Sequence, residues 1–527
     1  MRILLGCLSA ALLLLAAPVA NAGTATPDHT GGPVVRVDTG VLRGARSGGV
    51  DSFLGIPYAR PPVDALRWRP PQPAQPWPGI RSATSYGNRC PALASTNGPE
   101  STTEDCLFLN VQRPASAHAG QRLPVYFWIH GGGLVNGSSN QHDGSQLVGI
   151  GNIIVVTINY RLGALGFLAL PALTAQAGQS GNYGFLDQQA ALRWVQRNID
   201  AFGGDPARVT IGGESAGGWS VCSHLAAPGS RGLFTGAVME SGSCVATQTL
   251  ATAQTEGTAI ATKLGCADAT TAAACLRGKS VADILQATAA NGFQMVHGVP
   301  TIPQDPDAAV RDGTIARVPV LVGANRDEGR TFAAGFVGMT RDGYVTWVNT
   351  NVPVNATAVL SHYPWPANAD SFTAAYLAGA ILTDSGRVGG IGGCVNNTLV
   401  GQFARVTPTF AYEFDHRTGP GLQPTPAGYV WGAGHAAELA YLWPSFDNGT
   451  PIAPTFDAAE RQLATDMSRY WTSFVTTGQP SAPASAQWPR YNHSQSVLSL
   501  RAGGHSVTIP DTTITSEHQC DFWNSFG

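Results

Sequence analysis

Along the first half of the chain, short uninterrupted apolar runs alternate with a segment of helical period. "LPVYFWIHGGG" closes in glycines, "NIIVVTINYR" is apolar over most of its length, and "ARVTIGGES" breaks off at Gly212. Runs this short and continuous predict strands buried on both faces. Between the second and third lies "NYGFLDQQAALRWVQRNIDAFGG", whose apolar residues recur every three to four positions up to a glycine pair, predicting an amphipathic helix. Strand, crossover helix and strand build a largely parallel sheet with helices on both faces. "FTGAVMESGS" and "VPVLVGANRDEG" repeat the strand-then-polar-loop pattern further on. In such a sheet the chemistry belongs on loops beyond the carboxyl ends of the strands. No internal repeat or long linker interrupts the pattern, so the proline- and glycine-rich stretches 57–76 and 364–390 read as excursions from one large domain.

The N-terminus changes the picture. Arg2, an apolar run from Ile3 to Ala17 and "ANA" before Gly23 form the three-part layout of a secretory signal, residues 1–22, cleaved after Ala22. Residues 23–527 are then an exported domain, and no later apolar run reaches the roughly 20 residues of a membrane span. Eight of the nine cysteines remain after cleavage, and an even number in an exported chain favours disulfides. Short spacing suggests Cys90 with Cys106 and Cys266 with Cys275. No HExxH or zinc-type cysteine spacing occurs, so neither metal nor cofactor is expected. A net charge of −3 with 12% charged residues gives no polyanion-binding surface, which excludes nucleic acid as a partner.

The candidate chemistry sits where strands end. "GESAG", Gly213 to Gly217, has the strand, sharp turn and helix context of a nucleophile elbow around Ser215. A serine hydroxyl is a weak nucleophile and needs a base and an anion-stabilising pocket. The three glycines of "WIHGGGLVNGSS" leave backbone N–H groups uncovered, able to converge with that of Ala216 on an oxyanion. Of twelve histidines, those after an acidic loop are His362, His416, His435, His493, His505 and His518. His435 stands out, in a glycine-flanked loop just before an apolar helical stretch, while His130 is placed to support the glycine loop. The acid is Asp327 or Glu328, both at the carboxyl end of the strand "VPVLV".

These residues resemble the type-B carboxylesterases, the family that includes the cholinesterases. "EDCLFLN" at Glu104 to Asn110 and "FGGDPARVTIGGESAGG" at Phe202 to Gly218 match its two signatures, and "FLGIPYARPPVDALRW", "NRDEG" and "HQCDFWNSF" extend the likeness over nearly all of Gly32 to Phe526. The resemblance implies an α/β-hydrolase fold, a large mostly parallel central sheet flanked by helices in a single catalytic domain, and a secreted serine esterase acting on small ester substrates. It makes Ser215 the nucleophile, Glu328 the acid and His435 the base, with Gly132, Gly133 and Ala216 as oxyanion donors. Glu214 and Ser241 match positions facing the histidine. Arg67 with Glu104 and Arg161 with Asp187 match structural ion pairs. It also implies Cys394 paired with Cys520, alongside Cys90–Cys106 and Cys266–Cys275. Parity then pairs Cys222 with Cys244.

Two departures narrow the expectation. The fifteen residues between Cys90 and Cys106 contain no aromatic side chain, so the cage for a quaternary ammonium is missing. "GFQMVHGVPTIPQDPDAAV" replaces the usual turn before the acid strand, putting Phe293, Met295 and His297 forward as the acyl wall or as ordinary packing. The sequence reading favours short to medium acyl chains. A lipase would need an amphipathic lid, and an adhesion module of this fold would lack the serine.

Overall fold

The apolar runs become strands because helices and loops cover them on both faces. The computed structural model describes residues 31–353, 355–423 and 425–526. The expected signal, residues 1–22, lies outside the described residues. Pro33–Gly527 cluster as one compact unit. Its main sheet has eleven strands: β1 (Ala45–Ser47), β2 (Val50–Pro57), β3 (Phe108–Pro114), β4 (Leu123–Ile129), β5 (Ile154–Ile158), β6 (Gly204–Glu214), β7 (Gly236–Glu240), β8 (Val320–Asn325), β9 (Thr409–Phe414), β10 (Ser496–Leu500) and β11 (Val507–Pro510). Their spatial order is β11-β10-β9-β8-β7-β6-β4-β5-β3-β2-β1.

The run from β10 to β5 is parallel, and antiparallel pairs close both edges. Every residue of β4, β5 and β8 is buried. Alternate residues of β4 feed different cores, Phe127 and Ile129 one, Tyr126 and Trp128 the other, as the two-residue side-chain period requires. The chain leaves β4 toward β5 on one side and returns as β6 on the other. That reversal opens a crevice at the carboxyl ends of β4 and β6.

Helix α1 (Tyr183–Asn198) turns Phe185, Leu192, Trp194 and Val195 inward and gives way to a short 3₁₀ turn that closes at Gly203. Helix α2 (Ala216–Ala226) follows β6 directly and is buried throughout. Helix α3 (Ala458–Thr477) starts in a reciprocal Asp457/Glu460 capping box and ends at Gly478 with φ 72°.

Four disulfides link Cys90 to Cys106, Cys222 to Cys244, Cys266 to Cys275 and Cys394 to Cys520. Arg67 pairs with Glu104 at 2.5 Å and Arg161 with Asp187 at 2.7 Å, both largely out of solvent. Phe293 and Met295 are buried in the core and His297 faces Thr247 Oγ1 at 3.0 Å, so this segment packs rather than forming a substrate wall.

Candidate active site

The turn between β6 and α2 is built by close backbone approach. Ser215 takes φ 56° and ψ −123°, a conformation that costs a non-glycine residue about 1–3 kcal/mol. A Cβ on Gly217 would overlap the carbonyl of Ile129, and one on Gly213 would lie 2.5 Å from the backbone of Gly217. Both glycines are therefore required for strand and helix to meet. The Ser215 N–H donates to Glu240 O at 2.9 Å, and the Ser241 N–H to Gly323 O at 2.8 Å. These bonds tie the end of each strand to its neighbour.

The glycine loop lies beside this turn at the end of β4. Val135 and Asn136 donate their N–H groups to Gly132 O at 3.0 and 3.1 Å, curling the loop back on itself. Gly132 and Gly133 have φ 102° and 63°. Ala216 opens α2, where first-turn N–H groups have no helical acceptor. Among the described residues, the N–H groups of Gly132, Gly133 and Ala216 have no acceptor. His130 braces the loop: its ring stacks on Tyr160 with centroids 4.5 Å apart, and Nδ1 lies 2.8 Å from Gly131 O. Burial pushes it down to about 4, so it stays neutral.

Of the two acids at the end of β8, Glu328 faces the histidine. Its Oε2 is 2.7 Å from His435 Nδ1, and its Oε1 accepts the Asn325 N–H at 2.7 Å. Asp327 is held elsewhere, by a bidentate pair with Arg417 at 2.8 Å and by the Ala433 N–H at 3.0 Å. The other buried histidine on this side of the chain, His518, lies between Asp384 and Glu413, and His416 pairs with Glu460.

His435 Nε2 lies 3.2 Å from Glu214 Oε1, an ion-pair contact without the alignment of a hydrogen bond. Burial pulls the imidazolium down, but the carboxylates of Glu214 and Glu328 and the hydrogen bond to Glu328 outweigh it and push His435 up to about 9. Burial raises Glu214 as well, reinforced by Glu328 and opposed by His435. Whichever of Glu214 and His435 holds the proton weakens the other's hold on a second, so they titrate as a pair. Behind them Glu240 is buried and pushed up to about 8, with Oε1 accepting from Trp471 Nε1 at 2.7 Å. Glu438 is also raised by burial and accepts from Asn325 Nδ2. Among the described residues, the Ser241 Oγ is buried without a protein partner.

Ser215, His435, Glu214 and Gly131 to Gly133 line one cavity of about 320 Å³. Its lining includes the apolar Val135, Trp219, Phe332, Val388, Ile391, Leu439 and Phe446 and the amides of Asn97, Asn136, Gln141 and Asn448. Sequence reasoning missed these lining residues. The polar ones are single residues in separate loops and carry no motif, although Trp219 lies one helical turn after Ser215 and could have been found by that spacing. Among the described residues, no cluster of three or more His, Cys, Asp or Glu side chains could hold a metal ion, and no helix is long and apolar enough to cross a membrane.

A parallel sheet with a strand–serine–helix turn and an acid–histidine pair at its carboxyl edge defines an α/β-hydrolase. Residues 31–523 match the carboxylesterase family, and the chain belongs to it, as a carboxylic ester hydrolase. It is 35% identical to acylcarnitine hydrolase of Mus musculus, over 89% of this chain and 87% of that protein. It is 34% identical to cocaine esterase of Homo sapiens, over 99% and 95%. Among solved structures it resembles a PNB esterase with TM-score 0.75 at 30% identity, covering 92% of this chain and 99% of the other, and a thermophilic PNB esterase with TM-score 0.77 over the same shares.

Proposed function

We propose that this chain is a secreted serine carboxylesterase that splits esters through an acyl-enzyme on Ser215. The observation that carries the reading is the Glu328–His435 pair opening onto the cavity that Ser215 shares with the glycine loop. His435 Nε2 takes the Ser215 hydroxyl proton as Oγ attacks the ester carbonyl. The carbonyl oxygen, now an anion, accepts from the N–H groups of Gly132, Gly133 and Ala216, which are free to receive it. The tetrahedral species collapses, His435 gives its proton to the leaving alcohol, and the acyl group remains on Ser215. Water then attacks the acyl-enzyme, with the same imidazole accepting and returning the proton. Glu328 fixes the tautomer with the proton on Nδ1 and stabilises the imidazolium.

Glu214 and Ser241 position this machinery without touching the scissile bond. The carboxylate of Glu214 next to Nε2 steadies the cation formed at attack. The four disulfides fit export. Relatives named for acylcarnitine and cocaine fit a small-ester substrate, and a cavity of about 320 Å³ favours short to medium acyl chains. The test is Ser215→Ala: the variant keeps its fold, loses p-nitrophenyl butyrate turnover and fails to label with a fluorophosphonate. Retained turnover refutes the assignment. A higher kcat/KM for p-nitrophenyl palmitate than for the butyrate refutes the chain-length reading.

A further inference from the structure

The amide side chains lining the cavity have a use that ester hydrolysis alone does not require. Asn97 comes from the loop closed by the Cys90–Cys106 disulfide, Asn136 and Gln141 from the segment after the glycine loop, and Asn448 from a loop beyond His435. Three separate stretches of chain thus bring four carboxamides to one cavity. Three of these amides are oriented by the protein. Asn97 Nδ2 donates to Asn136 Oδ1 at 2.7 Å, and Gln141 Nε2 donates to Asp447 O at 2.9 Å. Among the described residues, Asn97 Oδ1, Asn136 Nδ2 and Gln141 Oε1 have no protein partner, and neither end of the Asn448 amide has one. None of these atoms is among the buried side-chain atoms shut off from a partner, so each borders open space.

Charge sharpens the assignment. Among the described residues, no Lys, Arg or Asp lines the cavity, and the carboxylate that does, Glu214, faces His435. His130 and His142 are held neutral by burial. Arg89, which donates to Asn97 O, and Asp447, which accepts from Gln141, stand behind the amides and offset each other, so a carboxylate, phosphate or ammonium on the substrate would meet neutral amides at the lining itself. Carboxamides that offer both donors and acceptors match hydroxyl groups, which also do both.

Resting on the serine-esterase reading above, we propose that the alcohol part of the substrate is an uncharged polyol, held by Asn97, Asn136, Gln141 and Asn448. The acyl part then lies against Trp219, Phe332, Val388 and Ile391. The division suits the order of events. The acyl group must stay while the acyl-enzyme lives, against apolar surface, whereas the leaving alcohol must exchange with water, from a few neutral hydrogen bonds.

The experiment compares glycerol 1-monobutyrate with n-propyl butyrate, which share the acyl group and the three-carbon skeleton and differ by two hydroxyls. A site with amides waiting for hydroxyls disfavours the analogue that leaves them unpaired, and two net hydrogen bonds correspond to roughly tenfold or more in kcat/KM. Wild type is expected to prefer the monobutyrate by about that factor. In Asn448→Leu, and separately in Asn97→Ala, the ratio is expected to fall to roughly threefold or less. The ratio is internal to each variant, so a change in folded fraction cancels. Ser215-dependent hydrolysis of both esters at equal kcat/KM overturns the polyol assignment alone, as does a preference that survives both substitutions. Equal turnover of both esters by Ser215→Ala overturns the reading beneath it, and the assignment falls with it.

Discussion

Glu328→Gln isolates the contribution of the acid to the proposed mechanism. Both carboxylate oxygens accept N–H groups: Oε1 from Asn325 and Oε2 from His435 Nδ1, each at 2.7 Å. A glutamine of the same shape offers one oxygen and one NH₂. If its oxygen stays with the Asn325 backbone, the NH₂ must donate to His435 Nδ1. That ring nitrogen then becomes the acceptor and the proton moves to Nε2, where the lone pair for Ser215 is needed. The opposite amide orientation points the NH₂ at the Asn325 N–H and leaves a buried donor unpaired, at about 1–3 kcal/mol. The wrong tautomer is therefore favoured. In the Ser-His-Asp triad the equivalent loss is about 10⁴ in kcat, or about 5 kcal/mol of transition-state stabilisation. The assay is kcat for p-nitrophenyl butyrate, with the melting temperature measured in parallel. A drop of about 10⁴ is expected, with Glu328→Asp, which keeps the charge but retracts the carboxylate, falling between. A Glu328→Gln enzyme within tenfold of wild type would refute the argument.

Other consequences can be measured independently. Because Glu214 helps hold His435 high, Glu214→Gln lowers the imidazole pKa and shifts the rising limb of kcat/KM against pH toward acid by roughly one unit or more; an unmoved or alkaline-shifted limb contradicts the electrostatics. His518, pushed up to about 10 by Asp384 and Glu413 against burial, contributes stability that is fully present below its unfolded pKa of about 6.5. That contribution is lost as pH rises through about 10, so the wild-type melting temperature should fall relative to His518→Gln between pH 7 and 10, and parallel curves would argue against it. The Cys394–Cys520 bridge spans 126 residues and Cys266–Cys275 spans 9. The loop-entropy difference makes removing the first about 2 kcal/mol more costly in urea unfolding, and the reverse order would contradict that account.

The sheet and its site were legible in the sequence to different depths. "VTIGGESAGG" carries its own explanation, because a buried strand that must bend sharply into a helix needs glycine where Gly213 and Gly217 meet neighbouring backbone. Glu328 could not be separated from Asp327 by spacing alone. Both occupy the same strand end, and the choice depends on Arg417, ninety positions downstream, which captures Asp327. His435 was readable from its loop, while its carboxylate surroundings were not. Glu240 and Glu438 sit in ordinary-looking strand and loop contexts and meet only when parallel strands bring distant residues side by side. Asn97, Asn136, Gln141 and Asn448 were invisible for the same reason. The groups of the proposed mechanism sit in local motifs at strand ends, whereas the amides of the proposed recognition surface are single residues with no local periodicity.

The bonds from Ser215 to Glu240 and from Ser241 to Gly323 have an evolutionary consequence. Each strand end is pinned to its neighbour before the following excursion begins, so residues 246–319 and 334–384, beyond the Cys222–Cys244 bridge and short of the cavity-lining Val388, can change length with little pull on the elbow. Lengthening such an excursion is thermodynamically cheap, about 0.6 kcal/mol for each doubling. Length changes there can therefore accumulate at little cost while the strand ends that carry Ser215 and Glu328 stay in place.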